Sequence, residues 1–218
     1  MNQRKLAVLG ILATLVVVFV AGLFAYQQHR RQATDEGAAA AGDRLVRMHS
    51  SVLGPQNAPV TIVEFFDPAC ETCRAIYPFI KEIMARHPQD VRLVIRYAPF
   101  HPGSDQVVKL LEAAKRQGRY LLVLEAVLQA QPLWADHASP RVDLAYQAAE
   151  RAGLDMARAR QDIDDPAMAA LLRQDVEDLK ALQVRATPTF FVNGRSLSSF
   201  GPDPLAQLVA EEVAKVRR

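Results

Sequence analysis

Two runs of β-branched and aromatic residues, Val60–Phe66 and Val91–Tyr97, predict buried strands. Between them, from Arg74 to Arg86, apolar residues recur at helical spacing. The strand–helix–strand order implies a parallel pair joined by a right-handed crossover. From Ser104 to Leu182 the pattern is helical almost throughout, with helices expected at Asp105–Gln117, Arg119–Ala130, Arg141–Ala152, Met156–Ile163 and Ala167–Leu182. Gly118, Pro132, Pro140, Gly153 and Pro166 mark the breaks. A strand at Thr189–Val192 follows Pro188, and Asn193-Gly194 is a two-residue hairpin signal leading to a partner strand. Asp203–Val216 supplies a closing helix. Upstream, Arg44–His49 reads as a short edge strand and Ser50–Pro59 as turn material. Pro78, after Tyr77, predicts a kink in the first helix.

The candidate chemistry lies at the first strand-to-helix junction. Cys70 and Cys73 are the chain's two cysteines and form a CxxC motif with Glu71 and Thr72 between them. Cys70 falls where the first unpaired helix amides point. The positive end of the helix dipole stabilises a thiolate there and activates it as a nucleophile. Cys73, one turn further in, is the expected resolving thiol. A zinc site would need two more ligands, and no second CxxC or paired-histidine motif supplies them. A structural disulfide closing so short a loop adds little stability. A redox dithiol is therefore the first expectation, with no cofactor and no metal.

Three segments, Glu64–Cys73 (EFFDPACETC), Arg96–His101 (RYAPFH) and Thr187–Gly194 (TPTFFVNG), resemble the DsbA-like thiol:disulfide oxidoreductases of the thioredoxin superfamily. The resemblance covers residues 44 to 218. It implies an α/β thioredoxin-like fold, a central mixed sheet with flanking helices, carrying a helical insertion at about residues 104–182. It also implies a cis peptide bond before Pro188, with Thr187 and Pro188 packed beside Cys70 and offering backbone hydrogen bonds to a bound substrate strand. Glu64 matches a glutamate that in this family accepts the buried cysteine's proton. Read from the strand alone, it is equally a residue facing solvent, because Val63 and Phe65 share the opposite face. Glu71 and Thr72 are expected to tune the redox pair. A negative charge at Glu71 opposes ionisation of Cys70, which predicts a poise less oxidising than DsbA's value of about −120 mV, toward thioredoxin's about −270 mV.

Other residues read as structural. Phe65 and Phe66 are expected in the core, and Asp67 is expected to end the strand. His101 reads as a loop residue with an electrostatic role as the alternative. Trp134 reads as a helix-connecting cap, or as an exposed contact anchor.

The 218 residues are half hydrophobic, enough for one sizeable core, and the formal charge of +2 with no long basic run argues against nucleic acid. Leu6 to Tyr26 is uncharged and long enough to cross a bilayer, and Arg4 and Lys5 precede it. No small-residue cleavage site lies close behind it, so residues 1–29 are expected to be an uncleaved anchor, a cleaved signal being the alternative. Residues 30–43 read as a flexible tether. A dithiol on an export segment belongs in an oxidising compartment. The expected location is the bacterial inner membrane, single-pass, with the catalytic head in the periplasm.

Three functions stay open. The favoured one is an oxidase of extracytoplasmic protein thiols, recharged by a membrane redox partner such as a quinone-linked oxidase. The same chemistry run backwards gives a reductase or isomerase fed by a transmembrane electron donor. The isomerases of the superfamily carry a separate dimerisation domain, so the head is expected to be monomeric. From another class, two thiolates suit Cu(I) delivery, but no methionine or histidine clusters with the motif in sequence. A holdase with a merely structural disulfide is disfavoured by the placement of Cys70.

Overall fold

The computed structural model describes residues 42–197 and 199–217. The expected membrane anchor and all but the last two residues of the expected tether lie outside the described residues. No helix among the described residues is long and apolar enough to cross a membrane. The described residues from Arg44 onward form one compact unit.

Five strands, β1 (Ser51–Leu53), β2 (Val60–Phe66), β3 (Val91–Tyr97), β4 (Thr189–Val192) and β5 (Arg195–Ser196), lie in the order β1-β3-β2-β4-β5. The central pair β2 and β3 is parallel, with Val60 opposite Val91 and Phe66 opposite Tyr97. A parallel pair needs a long crossover, and helix α1 (Glu71–Arg86) provides it. Its internal Pro78 lies within the continuous helix. β4 runs antiparallel to β2, placing Phe190 opposite Glu64 and Thr189 opposite Phe65. The hairpin from β4 to β5 turns at Asn193 and Gly194, with φ of 47° and 80°. That double positive φ is what an Asn-Gly turn accommodates best.

Helices α2 (Ser104–Arg116), α3 (Tyr120–Trp134), α4 (Val142–Arg151), α5 (Met156–Ile163) and α6 (Pro166–Ala181) follow one another along the chain between β3 and β4, and α7 (Pro202–Val216) comes after β5. Strand period two separates two cores. Ile62 and Phe66 of β2, with Leu93 and Ile95 of β3, pack against α1, α2, α3 and α7 in the larger one. Val63, Phe65 and Val94 point the other way, into a smaller cluster with Leu45, Leu179 and Val184.

Two readings of the sequence are corrected. Arg44–His49 is not an edge strand: residues 42–45 make a helical turn, and the edge strand is Ser51–Leu53, paired antiparallel with β3. Side-chain contacts with α6 hold this segment off the sheet. Arg47 makes a two-pronged contact with Asp178 of α6 at 2.8 and 2.7 Å, and His49 reaches Asp175 at 2.6 Å. The apolar residues that suggested a strand, Val46 and Met48, are left in solvent. The second correction concerns Pro132, which does not end its helix; α3 continues to Trp134. Trp134 is fully buried and donates its indole N–H to the Val127 carbonyl at 3.0 Å, so tertiary anchoring outweighs the local break. It is therefore no exposed anchor. Pro166 likewise opens α6 at its first turn, where Asp165 caps the backbone N–H of Ala167.

Candidate active site

Cys70 is the N-cap of α1 and has extended backbone angles. Its Sγ lies 3.3 Å from the carbonyl oxygen of Thr187, which a thiol proton there can reach. The Thr187–Pro188 peptide bond is cis. Cys73, in the first turn of α1, is fully buried, and both cysteines are free thiols. The expected group Cys70, Cys73, Thr187 and Pro188 is thus assembled at the junction of β2, α1 and β4.

The two sulfurs differ electrostatically. A hydrogen bond from the Cys73 thiol holds Cys70 well below the ordinary range, at about 5. Burial opposes that shift, while Thr187 and the backbone N–H groups of Cys73 and Thr72 support it. Thr72 therefore acts on the nucleophile through its backbone. Burial, followed by the hydrogen bond to Cys70 and the Glu64 charge, pushes Cys73 far up, so it stays protonated. The pair is a thiolate beside a neutral thiol.

Glu64 does not face solvent. It shares the larger core's side of β2 with Ile62 and Phe66, and both carboxyl oxygens are buried without a hydrogen-bond partner. Burial, reinforced by the Cys70 charge, raises it to about 8. A carboxyl group at that value is mostly protonated at neutral pH.

The structure adds two residues whose role at the site is invisible in the spacing. Asp67 does more than end β2. It is fully buried and accepts hydrogen bonds from the backbone N–H of Ala69 (2.9 Å), Phe100 (2.7 Å) and His101 (3.0 Å), from the His101 ring (2.7 Å) and from the Ser104 hydroxyl. It thereby fastens the segment after β3 to the approach to the motif. A polar residue at the end of an apolar strand before a proline was the one signal for it. Gln131 of α3 donates to the carbonyls of Pro68 and Cys70 at 2.8 and 3.0 Å and accepts from Arg74 at 2.8 Å. No local pattern singles it out within its helix.

His101 lies in the loop after β3, with its ring Nδ1 2.7 Å from Asp67. Partial burial works against its protonation, but the hydrogen bond and charge of Asp67 outweigh it and raise its pKa, with Cys70 and Glu71 adding to the rise. Glu71, the exposed first residue of α1, is held low by its own backbone N–H and by the charges of His137 and His101. Its carboxylate sits 3.1 Å from His137 Nε2. Two histidines therefore stand beside the motif, although none is near it in sequence.

A family model described as Thioredoxin matches residues 47–211. Among solved structures, a thioredoxin-like oxidoreductase from Silicibacter pomeroyi is similar with a TM-score of 0.69 and 27% identity, over 79% of this chain and 97% of that one. BdbD from Bacillus subtilis (TM-score 0.67, 23% identity, 76% and 94% covered) shares the fold. So does the thiol-disulfide exchange protein α-DsbA2 from Wolbachia pipientis (0.65, 19%, 84% and 97%). Among curated proteins, a Na⁺/H⁺ antiporter NhaA from Herminiimonas arsenicoxydans is 36% identical over 146 residues, 67% of this chain. The chain spans about a fifth (22%) of the length of that relative, and the same share of an NhaA from Salinispora tropica that is 37% identical over 147 residues.

Proposed function

Because this chain belongs to the thioredoxin family, we propose that Cys70 and Cys73 are its redox-active dithiol and that it oxidises thiols of extracytoplasmic proteins. It is a thiol:disulfide oxidoreductase. The observation that carries the reading is the geometry of the pair: Cys70 at the N-cap of α1, 3.3 Å from the Thr187 carbonyl at the cis bond, and Cys73 fully buried in the first turn.

In the oxidising direction a partner thiolate attacks Cys70 Sγ of the Cys70–Cys73 disulfide. The bond between the two cysteines breaks and Cys73 leaves, taking up a proton for which Glu64 is the nearby buried donor. The partner's second thiol, once deprotonated, attacks the partner sulfur of the mixed disulfide and releases Cys70 as a thiolate. The partner gives up two electrons and gains a disulfide, and the dithiol is reduced. Stabilising the Cys70 thiolate stabilises the reduced form and makes the disulfide a stronger oxidant, which supports this direction over reduction. Thr187, at the cis bond, is placed to offer its backbone to an extended partner segment. Reoxidation falls to a membrane redox partner. Residues 6–26 hold the monomeric head at the periplasmic face of the inner membrane.

The test is trapping in cells. With Cys73→Ser, mixed disulfides accumulate on Cys70 and are visible on non-reducing gels; with Cys70→Ser, none form. Equal trapping by either variant overturns the assignment. Thiol labelling of the wild type finds the pair mostly oxidised, whereas a mostly reduced pair assigns the protein to reduction. Fractionation places the chain with membranes; a soluble product lacking residues 1–29 removes the anchor.

A further inference from the structure

We propose that Glu71, His101 and His137 form a binding site for a divalent transition-metal cation, of the zinc or copper(II) kind, at the rim of the dithiol. One ligand atom from each of the three residues lies within 4.8 Å of the others. Two imidazoles and one carboxylate are the donor set of zinc sites that keep an open fourth position. Glu71 and His137 are already in contact at 3.1 Å, and both are exposed, so small side-chain rotations suffice to close around an ion.

One of the two rings is already held by a buried carboxylate. A metal-bound histidine almost always gives its other ring nitrogen to a carboxylate, which fixes the ring and raises its basicity as a ligand. His101 Nδ1 is 2.7 Å from Asp67, a carboxylate fully buried and anchored by four further hydrogen bonds. That leaves Nε2 as the ligating nitrogen on a ring already oriented. His137 follows Asp136, whose carboxylate accepts the N–H groups of Ala138 and Ser139 at 2.9 and 2.8 Å and holds the turn. An open cleft of about 500 Å³, to which Glu71, Asp136 and His137 contribute, gives access and room for water on the ion. Arg74 also lines this cleft, but its guanidinium is turned to Gln131.

These ligands differ from the two thiolates that a Cu(I) carrier would use, and the site does not depend on the dithiol being redox-active. The experiment uses the full chain with Cys70 and Cys73 oxidised to their disulfide, so that thiolates are out of play, titrated with Zn²⁺ alone by calorimetry at neutral pH. The expected result is one Zn²⁺ per chain, with affinity on the order of micromolar because two of the three ligands must be ordered on binding. His137→Ala and Glu71→Gln, both at exposed positions, are each expected to weaken binding about tenfold or more. Cu²⁺ in the same protein is expected to give an electron-spin resonance spectrum with nitrogen couplings that change in His137→Ala. No binding to the oxidised protein, or binding indifferent to both substitutions, overturns the proposal. Binding that appears only on reduction and ignores His137→Ala assigns the metal to the cysteines instead and overturns it equally.

Discussion

The thiol of Cys70 lies 3.3 Å from the carbonyl oxygen of Thr187, a residue 117 positions later in the chain. Neither residue alone makes the site. The N-cap position of α1 presents the sulfur, and the strand that pairs with β2 brings the polar groups of Thr187 against it. Thr187→Val keeps the shape and removes the hydroxyl. It is expected to raise the pH midpoint of Cys70 alkylation by a fraction of a unit, since Thr187 is secondary to the Cys73 hydrogen bond in holding the thiolate. An unchanged midpoint removes Thr187 from the account of the thiolate.

Glu64 is held protonated by the fold, at about 8 against an ordinary 4.5. Its folded-state preference is therefore fully met below about pH 4.5 and is lost as pH rises toward 8, by roughly 1.4 kcal/mol per pH unit. Glu64→Gln cannot ionise. Urea unfolding of the reduced protein should show the variant gaining on the wild type between pH 5 and pH 8 and levelling off above. Cys70, depressed to about 5, acts in the opposite sense over a similar range in both proteins, and its charge is one cause of the Glu64 shift that the difference reports. The variant should also slow exchange and flatten its pH profile. Parallel stability curves would mean that Glu64 is ionised throughout.

Glu71 places a negative charge one residue from Cys70, but its carboxylate is exposed, 3.1 Å from His137 Nε2, and solvent screens it. Glu71→Gln is expected to lower the Cys70 pKa slightly and move the reduction potential to a more positive value, by less than about 30 mV. A glutathione-equilibrium titration measures it, and a shift to a more negative potential contradicts the sign.

On the far side of the sheet Arg96 is fully buried and paired at 2.7 Å with both Asp175 and Asp178. Asp175 also accepts the Tyr97 backbone N–H at 2.9 Å, so the network ties α6 to β3. Arg96→Ala leaves two buried carboxylates short of their cation and is expected to cost about 3–5 kcal/mol in denaturant unfolding. Arg47→Ala, at the half-exposed edge of the same network, is expected to cost about 1 kcal/mol. Equal losses would show that burial does not set the difference.

Periodicity was enough to recover β2, β3, β4 and the positions of most helices, because each lays a continuous apolar face on a core. It failed where a charged pair decided the path. Arg47 and His49 look like the polar face of a strand until their partners 131 and 126 positions away are known. The cysteines and the Thr187-Pro188 segment were legible as motifs. The burial of Glu64 was not, because alternation along β2 cannot say which side of a sheet is covered when both are. Asp67, Gln131, His101 and His137 matter through contacts that span tens of residues, and spacing in a single chain carries no record of them.

Gln131 gives the inserted helices a consequence beyond providing surface. Its amide bridges the carbonyls of Pro68 and Cys70 while its oxygen takes the Arg74 guanidinium, so one side chain of α3 holds the backbone on both sides of the nucleophile. The insertion is therefore no detachable addition to the sheet and its crossover helix. Excising it to reach a minimal redox protein would remove an internal splint and the side-chain donor shared by the Pro68 and Cys70 carbonyls. Grafting the motif onto a scaffold without such a splint would transfer the sulfurs but not the frame that aims them.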